Sequence, residues 1–295
     1  MQTIEQLRDK IEAAEGLRQV VRTMKGLAAV NIRQYQRAEE SLAQYAVTVE
    51  QGLQILLSAA GERLRPRQDV QTDEGIVLAV VFGSDQGMVG QFNSRIFRHY
   101  DDGLSDIHAG RDHRWVLVIG RRLAARMQNE GEQVLDAFDL PRSAEDIALH
   151  SQRLLPAVQG LRDRGAQQVL LMHHLPGGGA SYYPVTRHVF PLSIDWLLRL
   201  RDKPWPGPSL PTFRIDAEAM LAHLVGQYLF VSLFRAFAGS MAAENASRLA
   251  SMQAAERNIE DRLYSLRNQY HRQRQGQITS ELLDVMAGFE TARER

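Results

Sequence analysis

Thr3-Ile4-Glu5-Gln6-Leu7-Arg8-Asp9-Lys10-Ile11-Glu12-Ala13-Ala14-Glu15-Gly16-Leu17-Arg18-Gln19-Val20-Val21-Arg22-Thr23-Met24-Lys25-Gly26-Leu27-Ala28-Ala29 decides the fold. Apolar residues recur at Ile4, Leu7, Ile11, Ala14, Leu17, Val20, Met24 and Leu27. Steps of three and four mark one stripe of a helix. Thr3 is placed to cap its start. No proline interrupts residues 1–58, so the helix is expected to run that far. At 1.5 Å per residue it would be about 84 Å long, well beyond an ordinary globular helix.

The other end of the chain repeats the pattern. After Pro204, Pro206, Pro208 and Pro211 there is no further proline. The stripe runs Leu224, Tyr228, Val231, Phe234, Ala238, Met241, Asn245, Leu249, Met252, Ile259, Leu263, Leu266 and Tyr270, then resumes at Ile278, Leu282, Val285 and Phe289. Neither helix can bury its stripe alone, so the two are expected to pair as an antiparallel coiled coil. Setting Ser58 opposite Thr212 puts Leu7 opposite Leu263 and Ile11 opposite Ile259. It also puts Ala28 and Ala29 opposite Ala242 and Ala243, and Lys25 opposite Glu244 or Asn245. The C-terminal helix outruns its partner near residue 270. There His271-Arg272-Gln273-Arg274-Gln275-Gly276-Gln277 is polar all round. A polar helix tip without a partner is solvated or held by another subunit.

The middle of the chain follows another rule. Ile76 to Phe82 is a continuous apolar run, the signature of a strand buried on both faces. Gly83-Ser84-Asp85-Gln86-Gly87 then turns the chain into a helix from Phe92 to about Tyr100. Further strands are expected at Trp115 to Gly120, Gln133 to Ala137, Gln168 to His173 and Tyr182 to Leu192. One helix follows the second strand through Met127. Another is opened by the Ser143–Asp146 capping pattern and runs to about Arg164. Strand–helix alternation implies an α/β layer with parallel strands. Residues 69–74 and 201–211 read as connectors. The domains are therefore a helix at 1–58, an α/β domain at 75–200 and a helix at 212–292.

Composition removes several functions. There are 35 basic and 35 acidic residues, so a dedicated nucleic-acid binder is not expected. Lysine occurs only at Lys10, Lys25 and Lys203; the remaining basic residues are arginines, suited to carboxylate contacts between proteins. With no cysteine, disulfides, thiol nucleophiles and iron–sulfur clusters drop out. No apolar run reads as a membrane span, and no apolar signal core opens the chain, so a cytoplasmic location is expected.

The glycines Gly83, Gly87 and Gly90 match neither the dinucleotide nor the P-loop spacing. They fit a tight turn, with an anion site at the following helix start as the rival reading. His173 and His174 are adjacent on a strand and point to opposite faces, so they do not form a metal pair. Ser181 lacks the nucleophile-elbow context. Asp136, Asp139, Glu145 and Asp146 read as caps and solvated charges. No catalytic site, metal or cofactor is expected in the chain itself.

Several ordered motifs carry a resemblance. Val20-Val21-Arg22-Thr23-Met24-Lys25 with Ala28-Ala29, the Ser84-Asp85-Gln86-Gly87-Met88-Val89-Gly90 turn with Asn93, Glu244-Asn245-Ala246-Ser247-Arg248 with Met252, and Arg274-Gln275 followed by Ile278-Thr279 and Glu281 resemble the gamma subunit of F-type ATP synthases. The resemblance covers essentially the whole chain. It implies a long antiparallel coiled coil around a central Rossmann-like α/β domain. It also implies a non-catalytic rotor shaft that couples ion flow through the membrane c-ring to ATP synthesis or hydrolysis. The implied partners are the alpha and beta subunits of the head, the epsilon subunit and the c-ring, on the cytoplasmic face of a bacterial membrane.

By the same carry-over, Arg274, Gln275, Thr279 and Glu281 would contact the head. Met24, Lys25, Glu244, Asn245, Ser247 and Arg248 would belong to the coupling region of the shaft. Ser84, Asp85, Gly87 and Gly90 would form a turn of the foot domain. The chain departs from the family at Gln86, Val89 and Gln91, where arginine, cysteine and glycine are usual. That divergence suggests the alternate, sodium-pump-like bacterial subgroup. Two readings compete: a nucleotide-binding α/β enzyme centred on Gly83 to Gly90, and a structural coiled-coil adaptor.

Overall fold

The structure is a computed structural model that describes residues 3–60, 75–106, 113–209 and 211–293, with side chains described as far as residue 286. The connector expected at 69–74 and the side chain of Phe289 lie outside the described residues. Two compact units emerge, one made of residues 1–28 and 249–295, the other of 29–248.

The first unit is helical. Its N-terminal segment belongs to helix α1 (Ile4–Ser41) and its C-terminal one to helix α7 (Ala217–Arg293). Thr3 and Gln6 close the start reciprocally: the Gln6 N–H donates to Thr3 Oγ1 at 3.2 Å and the Thr3 N–H to Gln6 Oε1 at 3.1 Å. This is a capping box. Leu7, Met252, Leu263 and Leu266 are buried between the helices. Arg22 Nε reaches Glu256 at 2.8 Å, Lys25 pairs with the same carboxylate, and Arg267 meets Glu15 at 2.5 Å. The helices therefore run antiparallel, as the stripes predict.

Their register differs from the expected one. Lys25 meets Glu256 rather than Glu244 or Asn245. The cause lies at the ends used to set the pairing. The N-terminal helical segment continues past Ser58, while α7 begins only at Ala217, where the Asp216 carboxylate accepts the N–H groups of Glu218 and Ala219. Lys25 meets its partner about three helical turns further along α7 than expected, and the moved ends account for about two of them.

The second unit holds the sheet and the helices that cover it. Helix α1 turns at Leu42 into α2 (Ala43–Ala60), so the first helix is not continuous. The strands are β1 (Ile76–Phe82), β2 (Arg114–Ile119), β3 (Val134–Phe138), β4 (Ala166–Pro176) and β5 (Tyr182–Phe190). The helices between them are α3 (Phe92–Asp106), α4 (Arg121–Asn129), α5 (Ile147–Asp163) and α6 (Ile194–Arg201). The sheet order is β3-β2-β1-β4-β5. Strands β1 to β4 are parallel, and β5 returns antiparallel along β4. A short glycine-containing connection permits that hairpin; a parallel return would need a crossover. Helix α6, capped by Ser193, was not foreseen. Ser143 Oγ bonds the Asp146 carboxylate at 3.0 Å, yet α5 starts only after them at Ile147.

The apolar run of β1 splits cleanly. Leu78, Val80 and Phe82 face a core shared with Leu154, Val158, Leu233 and Phe237. Val77, Ala79 and Val81 face Ile96, Tyr100, Leu123 and Met127. Both sheet faces are covered, which explains the absence of alternation. One of the covering elements is α7. From Val231 to Ser247 every residue except Arg235 is buried. A helix buried all round has lost its single stripe. A window of α7 within Ala217–Met286 has mean hydropathy 1.3, enough by length and composition to cross a bilayer. Only 28% of that window is buried in this unit, through residues such as Leu229, Val231, Leu233 and Phe234.

Candidate functional site

In the second unit, the structure brings together two motifs that are far apart in sequence. The first is the β1–α3 turn. The Ser84 N–H donates to Asn93 Oδ1 at 3.0 Å, and Asn93 Nδ2 donates to Ser84 Oγ at 2.9 Å. Asp85 accepts the N–H of Arg121 at 2.7 Å and that of Leu140 at 2.9 Å. It thereby caps α4 and pins the chain after β3. Met88 and Gly90 take positive φ of 61° and 54°. That conformation is natural for glycine and costly for methionine. Gly87 is tight for another reason: a Cβ there would stand 2.8 Å from Arg122 Nη1.

The second motif is the α7 turn from Glu244 to Arg248. Arg248 Nη2 holds the Glu244 carboxylate at 2.6 Å, and both side chains are nearly buried. Arg248 Nη1 also reaches Asn245 Oδ1 at 3.3 Å, and the Asn245 amide donates to Met241 O at 2.9 Å. Asn31 of α1 donates to the same Asn245 oxygen at 3.4 Å. Burial pushes the Glu244 carboxyl above its usual range, Arg248 pulls it back, and Asp85 adds to the upward push. Tyr35 is raised as well, chiefly by burial and then by the Glu244 charge. Ser247 Oγ joins the two motifs by donating to Val89 O at 2.5 Å. Val89, Phe92, Ala243 and Tyr182 pack together beside that bond.

The turn is thus closed by the chain's own groups. A surface depression of about 200 Å³ remains, lined by Gly87 to Gly90, Asn93, Ser94, Arg122 and Arg126. Among the described residues no cluster of three His, Asp or Glu could hold a metal. His173 and His174 are buried; the first ring edges Phe82 and the second lies tilted against Phe92, with centroids 4.3 Å apart. Burial lowers their pKa values to about 4 and about 3. They are neutral core groups at physiological pH.

The first unit carries the remaining candidates. Met24 and Lys25 are half-buried, with Lys25 held by Glu256. From Arg274 to Met286 every side chain is exposed. Arg274 Nη1 donates to its neighbour Tyr270 OH at 3.3 Å, Thr279 Oγ1 donates to Gln275 O at 2.8 Å, and Glu281 accepts from Gln277 at 2.9 Å. All three contacts are local to one helix. Ile278, Leu282, Leu283, Val285 and Met286 are more than half exposed on the same stretch. The polar tip was legible in sequence; that the apolar residues beyond it also stand open was visible only as an unpaired continuation of the stripe.

Known proteins share this fold. Residues 3–291 match the family described as ATP synthase. The ATP synthase gamma chain of Chelativorans sp. (strain BNC1) is 25% identical over 293 residues, covering 98% of this chain and 99% of the relative. That of Paramagnetospirillum magneticum (strain ATCC 700264 / AMB-1) is 27% identical over 295 residues at the same coverage. Among solved structures, a chain of the Euglena gracilis mitochondrial ATP synthase, OSCP/F1/c-ring, superposes with a TM-score of 0.67 at 16% identity. The match covers 98% of this chain and 94% of that one. A chain of the Tetrahymena thermophila mitochondrial ATP synthase central stalk and c-ring gives 0.58 at 18% identity, over 80% and 99%.

Proposed function

The chain belongs to the ATP synthase family, and from that premise we propose that it is the central rotor shaft of an F-type ATP synthase or ATPase. It couples ion flow through a membrane c-ring to ATP synthesis or hydrolysis in an alpha–beta head. Catalysis belongs to the head; this chain imposes different contacts on its sites in turn, and only differential contacts shift such an equilibrium. The observation that carries the reading is the end of α7. Five large apolar residues stand exposed there beside a polar tip whose contacts are local. A clustered apolar surface of this kind marks a protein interface. The alpha and beta subunits supply the cover.

In this reading Arg274, Gln275, Thr279 and Glu281 meet the head, and Met24 and Lys25 lie on the shaft. The α/β domain faces the c-ring together with an epsilon subunit. The complex is peripheral to a bacterial membrane, on its cytoplasmic face. Co-expression with alpha and beta subunits from the same genome tests this. A complex with one copy of this chain per three alpha–beta pairs, active only when the chain is present, is the expected result. No complex, together with nucleotide bound by this chain alone, would reverse it. Within the complex, Arg274→Ala combined with Glu281→Ala should weaken assembly or ion pumping; unchanged pumping would remove those two residues from the interface.

A further inference from the structure

The Glu244–Arg248 turn has two candidate uses, packing inside the chain or contact with a partner. Here its groups are consumed internally. Ser247 is 3% exposed and spends its hydroxyl on Val89 O. Arg248 is shared between Glu244 and Asn245, and Asn245 also receives Asn31 from α1. Ala243, one residue before the turn, packs on Val89 and Phe92. One turn of α7 is therefore tied to the β1–α3 turn on one side and to α1 on another.

We propose that Ser247, with the Glu244–Arg248 pair behind it, is a positioning device that locks the Ser84–Gly90 turn onto α7, so that the α/β domain turns with the helix. The inference deepens the rotor reading and rests on it, since only a rotating chain must carry its domain against a load. Met88 gives the device a reason. Its positive φ is strained, and such a conformation persists only where the surroundings over-determine it. Asn93 of α3 and Asp85, through the Arg121 N–H of α4, fix the turn from one side, and Ser247 fixes it from α7.

The absence of native cysteine makes the lock directly testable. In the assembled complex, Val89→Cys with Ala243→Cys should form a disulfide under mild oxidant. The oxidised complex should hydrolyse ATP and pump ions as the reduced one does, because the two positions never separate. Failure of the disulfide to form would overturn the proposal. So would loss of turnover on oxidation that reductant restores, since the turn would then have to leave α7 during rotation.

A second measurement isolates Ser247. In a Val89→Cys background, Ser247→Ala should raise the labelling rate of the introduced thiol about tenfold, the effect of one hydrogen bond. Ser247→Thr should restore slow labelling. Ser247→Ala should also lower the ions pumped per ATP, and the disulfide between positions 89 and 243 should restore that ratio. Unchanged labelling with Ser247→Ala, or a pumping defect that the disulfide does not repair, would overturn it. If the unmodified chain assembles with no head, the rotor reading fails instead, and disulfide formation in the chain alone still reports on the lock.

Discussion

Single residues in this chain are decided by burial more than by charge. His174 is fully buried, and neither ring nitrogen has a partner among the described residues. Burial is the main cause of both shifts; His173, His99 and Arg95 act further on His174, and Arg187 on His173, each disfavouring a further positive charge. Both folded-state values lie below the ordinary 6.5, so the unfolded chain binds protons that the folded one refuses. Stability is complete above about pH 6.5 and is lost as the pH falls toward the folded values of about 4 and about 3. By pH 5 each histidine should cost about 2 kcal/mol. The three tryptophans, Trp115, Trp196 and Trp205, all lie in the unit of residues 29–248, so their fluorescence in urea reports that unit alone. His174→Phe should flatten the pH dependence between 7.5 and 5; an unchanged slope would clear this residue. Glu244 offers the complementary case. Glu244→Ala leaves a nearly buried guanidinium with Asn245 as its remaining acceptor among the described residues, and should cost about 3 kcal/mol. Glu244→Leu with Arg248→Met removes both charges and should recover most of that loss in the same urea assay. The roles of these residues were hard to read in sequence because a buried carboxylate and an exposed one look identical there. Only the packing of α7 against Val89 separates them.

At the scale of elements, β1 to β4 were legible because their physics is local. A run buried on both faces is apolar throughout, and β1 appears where Ile76 to Phe82 indicated. The direction of β5 was not legible, because it depends on whether the short Gly177–Gly179 connection turns back at once. The helix register was not legible either, since it hinges on where α2 stops and Asp216 starts α7. A periodic stripe says which face pairs, not which turn meets which. The burial of α7 on several sides was hidden for the same reason, because the stripe assumed a single partner. Glycines inside the helices make the difference measurable. Gly26 of α1 has nothing near its missing side chain, so Gly26→Ala should stabilise by about 1 kcal/mol through helix propensity alone. Gly239 of α7 lies against β4: a Cβ there would stand 2.9 Å from Leu175 Cδ2 and 3.6 Å from His174 O. Alanine can push the leucine methyl aside, but Gly239→Val should cost about 1–3 kcal/mol by overpacking. Thermal unfolding of the two variants should move in opposite directions, and a stabilised Gly239→Val would contradict the close contact of helix and strand.

For the molecule as a whole, charge and exposed surface argue the same way. The formal net charge is zero and the isoelectric point is about 7.2, so near neutral pH there is little repulsion between copies. Ile278, Leu282, Leu283, Val285 and Met286 add an uncovered apolar surface to every copy. Alone, the chain should associate through that surface, and added salt should not disperse it, because apolar burial is not screened as charge pairs are. In the complex the same residues should be covered. One set of substitutions then has two opposed consequences. Ile278→Ser, Leu282→Ser and Val285→Ser together should make the isolated chain monodisperse in sedimentation. They should also weaken capture by alpha and beta subunits, because the apolar area that drives docking is gone. Helix content should change little, since these side chains are exposed and serine is a moderate helix former. A variant that stays associated would place the sticky surface elsewhere on the chain. A variant that becomes monodisperse yet assembles with full ATP hydrolysis and full pumping would show that the end of α7 is exposed in the complex too, and the rotor reading would then need another surface to carry it.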